Sequence, residues 1–408
     1  VVATGRLDST SSAGPGRRTW HWQSDHPVAP YLVGVAASDF ASWHEDCDGI
    51  DLAFHAWPEH LAAVREAYAP TCAMLQWLSD LAGPYPFADE KYAQAQFSWG
   101  GAMENQTASV MGVATLLLPP RDAQLVVVHE LAHQWFGNSL TPARWRDLWL
   151  NEGFARYVEC LWLEHSEGPA AYRKYLALLR RDDLFVGDGL LGDPDPVLPN
   201  ALPYDKGAWV LHMLRGYLGD DAFFSALREY ATHPDLAYGH VDEETFAAVW
   251  SQATGRDVAA FLRPWLTTEA LPVLAGRWRD LGGGRWLIEV LQEQTDAEFR
   301  LAVPVRVLTR AGAELVTVRL EGRLGRAEVH LPDPVDGLVI DPDRTLLRRT
   351  ASTPAPRVLA AQPRPNQPPA PLDPPAGKAG RALAGDQLPE GACSAPSGSH
   401  GGARRRAC

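Results

Sequence analysis

The residues best placed to do chemistry are His129-Glu130-Leu131-Ala132-His133. Two histidines four apart share one face of a helix, so both imidazoles can reach a single Zn²⁺. Glu130, beside the first histidine, can take the proton of a metal-activated water. A hydrolytic zinc centre wants three protein ligands and one open position. Glu152 offers the third: it lies in Asn151-Glu152-Gly153-Phe154-Ala155, with 18 residues between it and His133, enough for a turn and loop to return a second helix. Two helical turns further on, Glu159 can accept the free N–H of one zinc-bound imidazole. Its plainer reading is a solvated helix carboxylate paired with Arg156.

Those residues need helices to hold them. Asp122 as N-cap, the apolar run Leu125 to Val128 and a stop at Gly137-Asn138 predict a helix of about four turns around the motif. Helical spacing begins near Glu59 with Leu61, Val64, Tyr68, Met74, Leu75, Leu78 and Leu81, and recurs at 123–136, 150–165, 170–181, 206–217, 221–232, 243–253 and 257–266. Residues 1–57 read as β and loop, with strands expected at Pro30 to Ala37 and Asp51 to Trp57. After Pro272, apolar runs at 286–290, 301–307, 315–320, 327–331 and 338–340 predict a small β-sandwich. The expected class is multidomain α+β, divided at 1–57, 58–272, 273–348 and 349–408.

Composition excludes several function classes. A net charge of −13 argues against a nucleic-acid partner, and no apolar run reaches the roughly 20 residues of a membrane span. Residues 350–408 hold 11 of the 33 prolines, no Phe, Trp or Tyr, and a net +4, a composition that builds no core and predicts a disordered tail. The body therefore carries −17. Five cysteines at 47, 72, 160, 393 and 408 show no Cys-x-x-Cys pair, which favours reduced, structural thiols and leans towards a cytoplasmic location. The chain opens on Val1 without a basic or apolar leader, as a processed or truncated chain does. Trp135, Trp145 and Trp149 are expected to pack rather than to recognise substrate.

Four motifs in order carry a resemblance: Gly101-Ala102-Met103-Glu104-Asn105, the His129 to His133 motif, Asn151 to Ala155, and Tyr204-Asp205-Lys206-Gly207-Ala208. Together they resemble the aminopeptidase N family of zinc metallopeptidases, the gluzincins, which also include leukotriene-A hydrolase. The resemblance spans roughly residues 20 to 345. It implies a helix-rich thermolysin-like catalytic domain at 58–272, a remnant of an N-terminal β-saddle at 1–57 and a small β-sandwich at 273–348. It implies one Zn²⁺ per chain on His129, His133 and Glu152, with Glu130 as general base and Tyr204 stabilising the oxyanion. Gly101, Ala102, Met103, Glu104 and Asn105 would bind substrate, with Glu104 gripping its free α-amine. Peptides with a free N-terminal amine are the implied partners; no motif speaks to oligomeric state. A full saddle and the large C-terminal helical domain of such enzymes have no counterpart in the sequence. Two further readings are a peptide-binding relative or fragment with impaired catalysis and, more distantly, an epoxide hydrolase like leukotriene-A hydrolase.

Overall fold

The structure, a computed structural model, describes residues 1–180 and 202–349. The Pro-rich tail, from residue 350 on, lies outside the described residues.

A five-stranded sheet runs in the order Ala41–Cys47, Ile50–Ala56, Tyr92–Phe97, Ala108–Gly112, Ala102–Met103. Its three central strands are parallel, while Ala41–Cys47 and Ala102–Met103 join antiparallel at the edges. Tyr92–Phe97 hides from a sequence reading because its alternation is of Ala against Gln, residues that favour helices. Small Ala93 and Ala95 pack with Ala53 and Ala108 under Val2 and Ala36, and Tyr92 joins the main core. Gln94 is fully buried, its Oε1 accepting from Thr71 Oγ1 at 3.1 Å. Residues 41–56 thus share a sheet with residues 92–112, across the division drawn at 57. Pro30 to Ala37 is not one strand: Pro30–Leu32 turns as a 3-10 helix and only Val35–Ala36 pairs, with Val2–Ala3.

The helices after residue 119 follow the apolar spacing closely: Pro120–Ala132, Trp149–Glu167, Pro169–Leu178, Gly207–Leu218, Asp220–Ala231, Glu243–Thr254 and Val258–Thr267. Pro120 starts the first of these, a position where proline's missing N–H costs nothing. Asp122 therefore lies inside the first turn rather than at the cap, and the regular helix ends at Ala132, four residues short of the expected stop. Trp149–Glu167 is the central helix, with 13 of its 19 residues buried. It packs against Pro120–Ala132, Pro169–Leu178 and Gly207–Leu218. The last contact is closest at a glycine pair, where a Cβ on Gly207 would stand 2.8 Å from Gly153 Cα.

Beyond Leu274 two three-stranded antiparallel sheets form. One orders Leu274–Gly282, Arg285–Gln292, Leu324–His330; the other orders Gly312–Leu320, Leu301–Thr309, Val335–Ile340. Their inward residues, Ile288, Val290, Val303, Val305, Val307, Val318 and Leu320, join the main core.

Two sequence expectations are corrected. Cys47 and Cys72 form a disulfide with Cα atoms 5.6 Å apart, and only Cys160 is a free thiol among the described residues. The end of an edge strand meets the start of Thr71–Ala82 across 25 residues, a proximity set by sheet-on-helix packing that spacing cannot show. The thiol argument for a reducing compartment loses that pair. Trp135 and Trp149 are buried, but Trp145 is 56% exposed and faces Tyr31, ring centroids 5.5 Å apart.

Candidate active site

Helix periodicity brings the two histidines together: their rings lie 4.7 Å apart, both buried at the C-terminal end of Pro120–Ala132. His133 is the cap residue and keeps helical backbone angles, so it stays on the face of His129. Glu152, in the first turn of Trp149–Glu167, sets Oε2 3.3 Å from Nε2 of both. Each Nδ1 has a fixed acceptor. His129 Nδ1 donates to Glu159 Oε1 at 2.6 Å, and His133 Nδ1 donates to the Phe136 carbonyl at 3.0 Å. That fixes both rings and turns their Nε2 atoms to one point beside Glu152, a two-His, one-Glu donor set of the kind zinc takes.

Glu159 is not a solvated carboxylate. It is 2% exposed and also accepts from Arg156 Nη1, at 2.8 and 2.9 Å, and from the Tyr175 hydroxyl. Arg156 in turn lies 3.4 Å from Asp205 Oδ1, and its guanidinium sits 5.8 Å from the centroid of the Tyr204 ring. Of the plainer reading the Arg156 pairing holds and the solvent exposure does not, because Glu159 bonds Arg156 and His129 at once from a buried position.

Glu104 and Glu130 complete the cleft. Their carboxylate oxygens and a His133 nitrogen lie within 4.8 Å of one another. Glu130 Oε2 is buried without a hydrogen-bond partner, an orphaned acceptor in the same cluster as Glu104 and His133. Tyr204 belongs to the π-helical turn Leu202–Lys206, which leads into Gly207–Leu218. Its ring stacks over His129 at 6.1 Å and 11°, and Glu152 acts on its hydroxyl as a neighbouring charge. Ala102 and Met103 form the edge strand, and just before it the Gly101 carbonyl accepts from Gly112 N–H at 2.7 Å. Asn105 turns away from the cleft, donating to the Leu32 carbonyl at 3.4 Å. Tyr31 is the neighbour that sequence reasoning missed: its hydroxyl accepts from Asn151 Nδ2 at 3.3 Å.

Burial and close packing of charge set the electrostatics of the cluster. Burial pushes the Glu130 carboxyl up to about 7 and raises that of Glu104, the histidines pulling both part of the way back. Burial also works against Glu152, but the two imidazoles beside it hold its carboxyl well below the usual range. Burial would lower His133, yet Glu104 and Glu152 carry it up to about 10. Burial, with Glu152 next, keeps Tyr204 a neutral phenol. Three carboxylates and two imidazoles thus share one buried cleft, each shifting the protonation of the others.

A buried centre of two histidines and a glutamate, set between two helices beside a sheet edge, defines a protein whose site could hold a catalytic metal ion. Residues 67–265 match the peptidase family M1 domain, so this stretch of the chain is similar to that family. Among its relatives, endoplasmic reticulum aminopeptidase 1 of Homo sapiens is 31% identical over 230 residues, 52% of this chain and 24% of that protein. Aminopeptidase N of Streptomyces lividans is 28% identical over 300 residues, 66% of this chain and 34% of its own length. Aminopeptidase N of Lactococcus lactis subsp. lactis is 33% identical over 199 residues, 45% and 23% of the two chains. The matched part thus spans about a quarter to a third of these relatives. No described helix is long and apolar enough to cross a membrane.

Proposed function

We propose that this chain is a zinc-dependent aminopeptidase, hydrolysing the first peptide bond of peptides that have a free N-terminal amine. The observation that carries the reading is the convergence of His129, His133 and Glu152 beside the unpartnered carboxylate of Glu130. In this reading residues 58–272 are a thermolysin-like catalytic domain, 1–57 the remnant of a β-saddle and 273–348 a small β-sandwich. His129, His133 and Glu152 would hold one Zn²⁺, which when bound supplies a Lewis acid for the scissile carbonyl and the attacking water.

The protein's own residues do the rest. Glu130, with its carboxyl raised towards neutrality, takes the proton of the attacking water and returns it to the leaving amine. Tyr204, held as a phenol, donates to the oxygen on which charge develops. Glu104 pairs with the substrate ammonium and closes the cleft to chains extending past it. Ala102 and Met103, on an edge strand, offer backbone groups on which an extended peptide can pair. Glu159 fixes the His129 ring, and Gly101 lets the peptide approach closely. Asn105 serves the cleft indirectly, tying the loop to Leu32.

Aminoacyl chromogenic amides with free and acetylated amines test this reading. Release from the free amines alone, together with Glu130→Gln protein that binds zinc but loses turnover, is the expected result. Equal cutting of the acetylated amides would remove Glu104 from its role.

A further inference from the structure

Thr107 has φ of +59° and is fully buried. A β-branched residue is a genuine outlier there, sustained only where its surroundings over-determine it. Thr107 is the third residue of a turn that Ala108 N–H closes onto the Asn105 carbonyl at 3.0 Å, a position where positive φ suits Gly or Asn.

Every polar group of Thr107 is engaged. Its N–H donates to Gln134 Oε1 at 2.9 Å. Its carbonyl accepts from Ala93 N–H at 2.9 Å and from Lys91 Nζ at 3.1 Å. Its hydroxyl oxygen accepts from Gly5 N–H at 2.8 Å and from Lys91 Nζ at 3.3 Å. Lys91 is itself buried, and its ammonium also takes the carbonyls of Ala3 and Gly5. Gln134, next to His133, closes the loop from the other side. Its Oε1 holds the Thr107 N–H while its Nε2 donates to the Glu104 carbonyl at 3.4 Å, and Asn138 Nδ2 holds that same carbonyl at 2.7 Å. One side chain thus clips both ends of Glu104 to Thr107 onto the histidine motif.

We propose that Thr107, locked in its left-handed conformation by Lys91, Gly5 and Gln134, is the positioning residue that aims the Glu104 carboxylate at the substrate amine. The proposal rests on Glu104 being the amine anchor. A Thr107 that relaxed to negative φ would break the Gln134 clip and swing the 104–107 segment, leaving the zinc ligands in place. The N-terminal segment from Ala3 to Gly5 thereby becomes part of what sets selectivity for free amines.

The test compares the Kd of L-leucine hydroxamate with that of its des-amino analogue, 4-methylpentanohydroxamic acid, by calorimetry on zinc-loaded full chain. General damage weakens both ligands, whereas a misplaced anchor lowers only the preference for the amine. Thr107→Val keeps the bulk and the β-branch but removes the acceptor, and the preference falls roughly tenfold. Thr107→Gly removes more atoms yet accepts positive φ freely, and the preference stays within about twofold of wild type. Lys91→Met lowers it in the direction of Thr107→Val, with zinc content unchanged. Glu104→Gln separates the two ideas. If it leaves the preference intact, the anchor reading itself fails. If it abolishes the preference while folded, zinc-loaded Thr107→Val or Lys91→Met retains it, the positioning role of Thr107 is overturned. Lys91→Met decides the matter where Thr107→Val does not fold.

Discussion

The Gly153 and Gly207 contact gives a demanding prediction, because it joins the helix of Glu152 to the helix that follows Tyr204. A Cβ on Gly207 would lie 2.8 Å from Gly153 Cα, and one on Gly153 would lie 2.9 Å from Gly207 Cα and 3.1 Å from the Pro203 carbonyl oxygen. All three neighbours are backbone, so no side chain can rotate aside. Restoring an ordinary carbon contact of about 3.7 Å requires the helices to part by roughly 0.9 Å. Tyr204 precedes Gly207 by three residues, and a misplacement near 1 Å at a reacting group costs on the order of 100-fold in rate. Gly207→Ala should therefore lose about 100-fold in kcat on aminoacyl amides while KM changes little and zinc stays bound. Overpacking of about 1–3 kcal/mol is partly offset by the roughly 1 kcal/mol that Ala gains over Gly in a helix, so the fold survives. Gly216→Ala, in the same helix with open space around it, is the control and should gain stability at unchanged kcat. Wild-type kcat in a folded Gly207→Ala protein would refute the claim that this contact places Tyr204.

Tyr204→Phe should lower kcat by about 100- to 1,000-fold with KM nearly constant, as loss of one oxyanion donor does; a KM effect alone would make Tyr204 a binding residue. Burial lowers His212 and His55 to about 4, so the unfolded chain takes up these protons first. Stability from each is present above an unfolded pKa near 6.5 and is lost as pH falls from there towards 4, about 2 kcal/mol per group by pH 5. In urea melts at pH 7.5 and 5, His212→Gln should flatten that loss relative to wild type, and parallel losses would contradict the assignment. Non-reducing peptide mapping should recover Cys47 and Cys72 cross-linked, and reduction should cost about 3 kcal/mol for a loop of 25 residues. Recovery of both as free thiols would contradict the pairing.

Much of the site could be read from sequence because it depends on local periodicity. His129, His133, Glu152 and Glu159 all project from helices, so spacing alone sets which of them share a face. Tyr204 and Glu104 could not be placed that way, since the turn Leu202–Lys206 and the loop after Met103 have no period. Resemblance named both residues, and tertiary contacts bring them to the cleft. Tyr31, Lys91 and Thr107 had no local signal at all: one sits in a 3-10 turn that looked like a strand, one is a buried lysine, and one has a backbone angle foreign to its side chain. The fold was least legible where a strand is built of Ala and Gln, and where strand pairing carried the sheet across residue 57.

The central claim is that His129, His133 and Glu152 form one zinc centre that cuts the first peptide bond. Its most direct test is to strip the protein with a chelator, then add Zn²⁺ stepwise while following an aminoacyl chromogenic amide. The account predicts no release from stripped protein and activity that rises linearly to a break at one equivalent. Activity that ignores both the chelator and the zinc would contradict it.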